Sequence, residues 1–152
     1  MRLAGAEDLE RLLELMDGFY AESGYALDRA HAADAFAALL ADPRLGRVWL
    51  IEQGTSDVVG YVVVTFAFAM DYGGLIAIVD DLYVRPAARA AGLGTAALTA
   101  VREVYAELGK RAMRVEVGRD NAVARSVYGR VGFEVLDHLL MTLPLADPTH
   151  LA

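Results

Sequence analysis

Apolar residues recur at helical spacing through Leu9, Leu12, Leu13, Met16, Phe19 and Tyr20, with acids at the front of the run. This pattern predicts a helix from Glu7 to about Tyr20, ended by Gly24. A second helix is expected from Asp28 to Ala41, with Ala33, Phe36, Leu39 and Leu40 on one face and Asp42-Pro43 as its stop. The period then shortens. Val48 to Gln53 and Val59 to about Met70, separated by Gly54-Thr55-Ser56-Asp57, read as a β-hairpin, and Asp71-Tyr72-Gly73-Gly74 turns the chain into a third strand from Leu75 to Val84. Further on come a helix to about Leu108, a strand at Ala112 to Val117, a helix from Ala122 to Val131 and a final strand from about Phe133 to Leu143. Met1 to Ala4 adds a short edge strand. The order α-α-β-β-β-α-β-α-β predicts an α/β protein in which helices flank a mixed sheet.

Composition changes this picture in a few respects. With 152 residues, 56% of them apolar, the chain is expected to form one domain over residues 1–152 with a sizeable core. No apolar run of about 18 residues is free of charges or turn formers, and the first residues do not resemble a signal peptide, so a soluble, cytoplasmic protein without a membrane partner is expected. There is no cysteine to form a disulfide, a thiolate zinc site or an acyl-enzyme, and His31, His138 and His150 lack metal-ligand spacing, so no metal is expected. A net charge of −7 argues against a nucleic-acid partner. Its distribution is uneven: residues 1 to 81 hold 14 acids and 5 bases, residues 82 to 152 hold 7 acids and 9 bases. One half suits a cation and the other a polyanion, although solvated helix surfaces produce the same counts.

The most informative segment runs from Val79 to Thr95, where an apolar strand passes through Asp80 and Asp81 into a loop with Gly92 and Gly94 that opens a helix. A helix start carries unpaired N–H groups and about half a unit of positive charge, and glycine lets an anion approach the backbone. Arg89 adds a full charge, so the loop is expected to hold a pyrophosphate. Gly92 to Ala97 also fits the G-x-G-x-x-(G/A) dinucleotide pattern. That rival is demoted because Arg85 to Ala91 separate the strand from the first glycine and only 60 residues follow Gly92, too few for the remaining βα units. No G-K-(S/T) follows, which excludes a P-loop.

Arg89-Ala90-Ala91-Gly92-Leu93-Gly94 resembles the Arg/Gln-x-x-Gly-x-Gly/Ala acetyl-CoA loop of the GNAT superfamily of N-acetyltransferases, and Asp80 to Pro86 resembles the strand that enters it. Val115 to Asn121, followed by Ala124, Tyr128, Gly132 and Phe133, is similar to a second family segment. The resemblance covers residues 48 to 143 well and the first two helices only in kind. It implies a GNAT-like, mainly antiparallel sheet of six to seven strands with four helices, in which two central parallel strands splay apart to admit acetyl-CoA, the one ending near Val84 carrying a bulge and the next, Ala112 to Val117, diverging from it. It implies a final strand near Leu139 to Leu143 that can pair across a homodimer.

The same resemblance implies roles. Leu82, Tyr83 and Val84 would pair through their backbone with the pantetheine arm, and Arg89, Ala90, Ala91, Gly92, Leu93, Gly94 and Thr95 would hold the pyrophosphate. Asn121, an expected N-cap from sequence alone, would also bond the pantetheine. Tyr128 reads by spacing as a core aromatic, but the family's tyrosine here points at the thioester sulfur and acts as general acid. An amine acceptor has to lose a proton before attack, and Asp80 and Asp81 are the candidate bases, placed by strand alternation on opposite faces. The family's first acid corresponds to Asp80. Tyr20, Glu22, Tyr25 and Tyr72 border the family's acceptor cleft, where aromatic faces and carboxylates attract ammonium. The implied reaction is acetyl transfer from acetyl-CoA to a primary amine, a small cationic one such as a polyamine, amino acid derivative or aminoglycoside. The alternatives are a protein lysine or N-terminus as acceptor, and a non-catalytic acetyl-CoA sensor.

Overall fold

In a computed structural model, residues 1–145 of the chain are described; His150 lies outside them. Strand β1 (Arg2–Leu3) and a short helical turn lead into helices α1 (Leu9–Glu22) and α2 (Arg29–Ala41). The strands β2 (Gly46–Gln53), β3 (Asp57–Ala69) and β4 (Gly74–Val84) follow, then α3 (Leu93–Glu107), β5 (Met113–Val115) and α4 (Ala122–Val131). The sheet order is β1-β2-β3-β4-β5, antiparallel except for the parallel pair β4–β5. Local chemistry explains the boundaries. Asp28 caps α2 by accepting from the His31 N–H, and Asp8 is gripped by both Nη atoms of Arg2 at 2.7 Å, tying β1 to the start of α1.

The core has two layers, one on each side of the sheet. Val48, Leu50, Tyr61, Val63 and Tyr83 meet Leu12, Leu13, Leu15 and Phe36 of α1 and α2. On the other face Ile51, Val62, Val64, Ala77 and Val79 meet Leu98, Val101 and Tyr105 of α3 and Val131 of α4. β3 lies in the middle and is buried without interruption from Val58 to Val64. A strand covered on both faces reads as a continuous apolar run, as this one does.

A bulge in β4 sets which side chain faces which layer. In β4, Val63 pairs with Asp81 and Val64 with Val79, so Asp80 is the extra residue. Ala77 and Val79 face α3 and α4, and after the bulge Leu82 and Val84 face the same layer while Tyr83 faces α1 and α2. An unbroken strand would have put Val79, Asp81 and Tyr83 on one face.

The parallel pairing is short. It joins Ala77–Val79 to Met113–Val115 and stops, so Asp80 to Val84 have no partner on the β5 side. This is the expected splay, with β5 at the sheet edge rather than in its centre. The expected count of six to seven strands is corrected to five among the described residues, because residues 133–143 form no strand. β5 offers an edge of only three residues, and Leu139, Leu140 and Met141 are adjacent apolar residues without strand alternation, all exposed. Local apolar content does not make a strand where no edge receives it.

Gly60, in β3, sits where an added Cβ would press on the Tyr83 carbonyl oxygen of β4. Gly60→Ala should destabilise the fold by about 1–3 kcal/mol, because both obstructing groups are backbone in a five-stranded sheet that cannot step aside. Urea denaturation of the variant checks this; an unchanged midpoint would show that the strands have slack there.

Candidate functional site

The loop between β4 and α3 presents its backbone as a donor array. Arg89 is extended, Ala90 has φ +67°, and Gly92, the N-cap of α3, has φ +73°. Such reversals of backbone hand turn successive N–H groups to one concave side. Among the described residues, no N–H from Ala90 to Thr95 has a hydrogen-bond partner; the Gly92 carbonyl is used by Ala96 N. A Cβ added at Gly94 would make only ordinary contact, 3.8 Å from Val127 and 3.9 Å from Leu82, so packing within the protein does not demand glycine there. Open donors, a bare Cα and the positive end of a 15-residue helix together fit a pyrophosphate. The gap beside Asp80–Val84 supplies free strand backbone next to it, as the amides of a pantetheine arm require.

At the bulge the two acids differ. Asp80 is exposed, whereas Asp81 is partly buried and accepts a hydrogen bond from the Tyr61 hydroxyl at 3.1 Å. Alternation alone predicts Asp81 on the face of Val79; the bulge brings it instead to the side of α1 and α2. Burial, and then the neighbouring Asp80 charge, push its carboxyl up to about 6, with the Tyr61 bond opposing them. Tyr20 of α1 and Tyr128 of α4 both feel the Asp81 charge: the phenols are raised, by burial first and then by Asp81, and for Tyr20 also by Asp80. Tyr128 is partly buried against the α3–α4 core, with its ring edge-on to Phe133 at 5.6 Å, and its hydroxyl has no partner among the described residues. Tyr20 and Tyr128 thus both lie within electrostatic reach of Asp81, one from each layer.

The remaining sequence-predicted residues fall in different places. Asn121 caps α4, its side chain accepting from Ala124 N at 3.0 Å. Arg89 turns back toward α1: Nη2 bonds both Glu22 oxygens, Nε donates to the Val84 carbonyl, and the guanidinium lies over the Tyr83 ring. Tyr83 itself donates to Glu22 at 3.1 Å, so Glu22 is engaged at the cofactor loop rather than open to an amine. The Tyr83 ring is buried on the α1–α2 side, which leaves only its backbone facing the gap. Tyr25 is exposed beyond the end of α1. Tyr72 lies under the Arg114 guanidinium just before β4 begins, and the nine residues from Tyr72 to Asp81 put it more than 20 Å from the acids at about 3.3 Å each. Sequence reasoning missed Tyr61. It lies in an apolar run and reads as core, and only the pairing of β3 with β4, which sets Tyr61 opposite Tyr83 and diagonally from Asp81, reveals its hydroxyl's task. Among the described residues no group of three or more potential ligands could hold a metal, and no helix is long and apolar enough to cross a membrane.

Asp81 leaves a signature in stability that is independent of catalysis. Its carboxyl holds a proton up to about pH 6 in the fold but releases it near 3.8 when unfolded, so its contribution is full below pH 4 and is lost as pH rises through 6. Asp81→Asn removes the charge and keeps an acceptor for Tyr61. The variant should be about 1–3 kcal/mol more stable than the parent at pH 8 and equal to it at pH 4, as read by chemical denaturation. A gain that is the same at both pH values would mean that the carboxylate is not the cause.

The chain matches the family model "Acetyltransferase (GNAT) family" over residues 9–133. An integron cassette protein from the mobile metagenome of Cole Harbour Salt Marsh is 47% identical, with a TM-score of 0.87, over 97% of this chain and 91% of that one. A predicted acetyltransferase from Clostridium acetobutylicum, solved with acetyl-CoA, shares the fold at 18% identity and a TM-score of 0.78, over 93% and 94% of the two chains. An aminoglycoside antibiotic 6'-N-acetyltransferase from Acinetobacter haemolyticus does so at 16% identity and a TM-score of 0.75, over 96% and 98%. No curated protein matches. With 125 of its 152 residues inside the family match, and with a splayed β4–β5 pair opening onto an unpaired N–H array, this chain belongs to the GNAT acetyltransferase family, whose cosubstrate is acetyl-CoA.

Proposed function

We propose that the chain transfers the acetyl group of acetyl-CoA to the primary amine of a small cationic acceptor by direct attack, with Asp81 as proton acceptor and Tyr128 as proton donor. The observation that carries this reading is the splay itself, with the open donors from Ala90 to Thr95 beside it and Tyr128 within electrostatic reach of Asp81. Acetyl-CoA supplies the activated carbonyl and a thiolate leaving group. The chain supplies the rest. The six loop N–H groups hold the diphosphate, and Leu82 and Val84 offer backbone to the arm. A carboxyl near 6 is ionised at neutral pH yet basic enough to receive a proton from an ammonium, directly or through water. The Tyr128 hydroxyl, raised and unpartnered, is protonated at that pH and free to donate to departing sulfur. Asp80, exposed on the bulge, adds a second negative charge at the entrance.

A cationic acceptor is supported by charge. Besides the two acids, α1 carries Glu14 and Asp17, both exposed and in no ion pair among the described residues, whereas Glu10 and Glu22 are held by Arg29 and Arg89. The aminoglycoside acetyltransferase that shares the fold acts on a substrate of the same class. With no cysteine in the chain, an acyl-cysteine intermediate is not available.

A panel of amines with acetyl-CoA, read by release of free thiol, tests the reaction; polyamines and aminosugars should be turned over, and silence across the panel would sink the reading. Tyr128→Phe should lower kcat by about 10² to 10⁴ with little change in affinity for CoA, because the proton is needed only in the transition state. Full activity in that variant would reduce Tyr128 to a packing residue.

The two acids are separated by pH. In the parent, kcat/KM should fall on the acid side with an apparent pKa near 6, the value to which Asp81 is raised. Asp81→Asn should lose most activity together with this limb, whereas Asp80→Asn should keep the limb and show mainly a higher KM for a multiply charged amine. The opposite pattern would make Asp80 the base.

A further inference from the structure

A groove of about 470 Å³ lies away from the splay, on the α3–α4 side of the sheet at the far end of α3. It is lined by Leu3, Trp49, Phe66 and Leu75 of the strands and by Val104, Tyr105 and Leu108 near the end of α3. The cofactor loop is at the other end of that 15-residue helix, about 22 Å away at 1.5 Å per residue. Asp81 faces the opposite layer. The groove therefore belongs to neither half of the proposed reaction site, and its volume is within the roughly 300–1,000 Å³ of small-molecule sites.

Its polar groups are few and of one kind. Tyr105 is 1% exposed; its hydroxyl accepts from Trp49 Nε1 at 3.0 Å, and its own proton has no acceptor among the described residues. Arg47 donates through Nη1 to the Pro43 and Gly46 carbonyls, which leaves Nε and Nη2 without partners, and its charge reaches the Tyr105 hydroxyl. Lys110 stands 4.0 Å over the Phe66 ring and makes no ion pair among the described residues. Arg44, the third cation, is neutralised by Asp42. No carboxylate lines the groove. An apolar wall, a buried hydroxyl proton in want of an acceptor and two uncompensated cations are complementary to a single anionic head on an apolar body.

We propose that this groove is a second small-molecule site that takes an amphipathic monocarboxylate. One carboxylate oxygen accepts the Tyr105 proton, the other accepts from the Arg47 guanidinium, Lys110 closes the head from the mouth, and the aromatic or alkyl body lies against Trp49 and Phe66. Burying a donor without an acceptor is costly, and charge-assisted bonds are the stronger ones, so the head rather than the body sets selectivity.

Trp49 is the only tryptophan in the chain, so intrinsic emission reports on the groove alone. Phenylbutyrate, titrated into the intact protein, should give a saturable change in Trp49 emission that saturating CoA does not reverse. Phenylbutanol and phenylbutylamine, of matched shape, should bind at least about tenfold more weakly. Arg47→Gln should weaken phenylbutyrate about tenfold and Lys110→Gln by less, while neither changes binding of the alcohol; both positions are partly exposed and their substitution leaves the core intact. Equal binding of acid and alcohol, no saturable change, or displacement by CoA would each overturn the proposal. None of these outcomes depends on acetyl transfer, so the fate of the groove and that of the proposed reaction are read separately.

Discussion

One extra residue in β4 is the constraint on which the rest of the site depends. Asp80 opposes nothing on β3, and its insertion shifts the strand by half a pleat. Before it, Ala77 and Val79 lie under α3; after it, Leu82 and Val84 do. Asp81 and Tyr83 are thereby delivered to the α1–α2 layer, next to Tyr61 and Glu22. The bulge also coincides with the last β4–β5 pair, at Val79 and Val115. A bulge bends its strand and increases the local twist. The side-chain positions and the opening between the strands thus share one cause.

Electrostatics follow from that placement. A carboxyl brought to a partly buried position would ionise only at higher pH, and a second acid on the next residue raises it further. Tyr61 works in the other direction by donating to the ionised form. The balance leaves a group that exchanges its proton near neutrality, at some expense to the stability of the native state. At the other end of the exposed strand segment, Arg89 and Glu22 neutralise one another and fasten the end of α1 to the loop. The open donors of the loop are consequently backbone groups, with the side-chain charge held to one side.

Most of the fold was legible because period and punctuation report on it directly. Asn121 was visible as a cap, and most helices and strands begin and end within a few residues of where periodicity and turn residues place them. The loop from Arg89 to Thr95 was equally plain, since its glycines and the following helix occupy consecutive positions. Three things were not legible, each for a physical reason. The bulge is a property of pairing, and Val79-Asp80-Asp81-Leu82 looks the same with or without it, so only the family resemblance pointed to one in this strand and nothing in the residues placed it at Asp80. Tyr61 sits in an apolar run where one hydroxyl does not disturb the pattern. Residues 133 to 143 have the apolar content of a strand, but strand formation is decided by an available edge, which lies elsewhere in the chain. Tyr72 was placed near the cleft by likeness of its turn, whereas counting residues along β4 puts it at the wrong end.

The order of strands in the sheet carries a consequence for how the molecule comes together. β1 joins the sheet only through β2, and β2, β3 and β4 are neighbours both in the chain and in space, joined by tight turns, so this meander can zip up through local contacts. β5 arrives only after the whole of α3 has crossed over, and three residue pairs hold it. Closing a longer loop costs more entropy and delays the contact that repays it. The cleft is therefore bordered on one side by a strand paired along its whole length with the buried β3 and on the other by the strand that joins last, held by three pairs. In amide exchange β5 would open before β2, β3 and β4, and a cofactor lying between it and β4 would act as the missing part of the sheet.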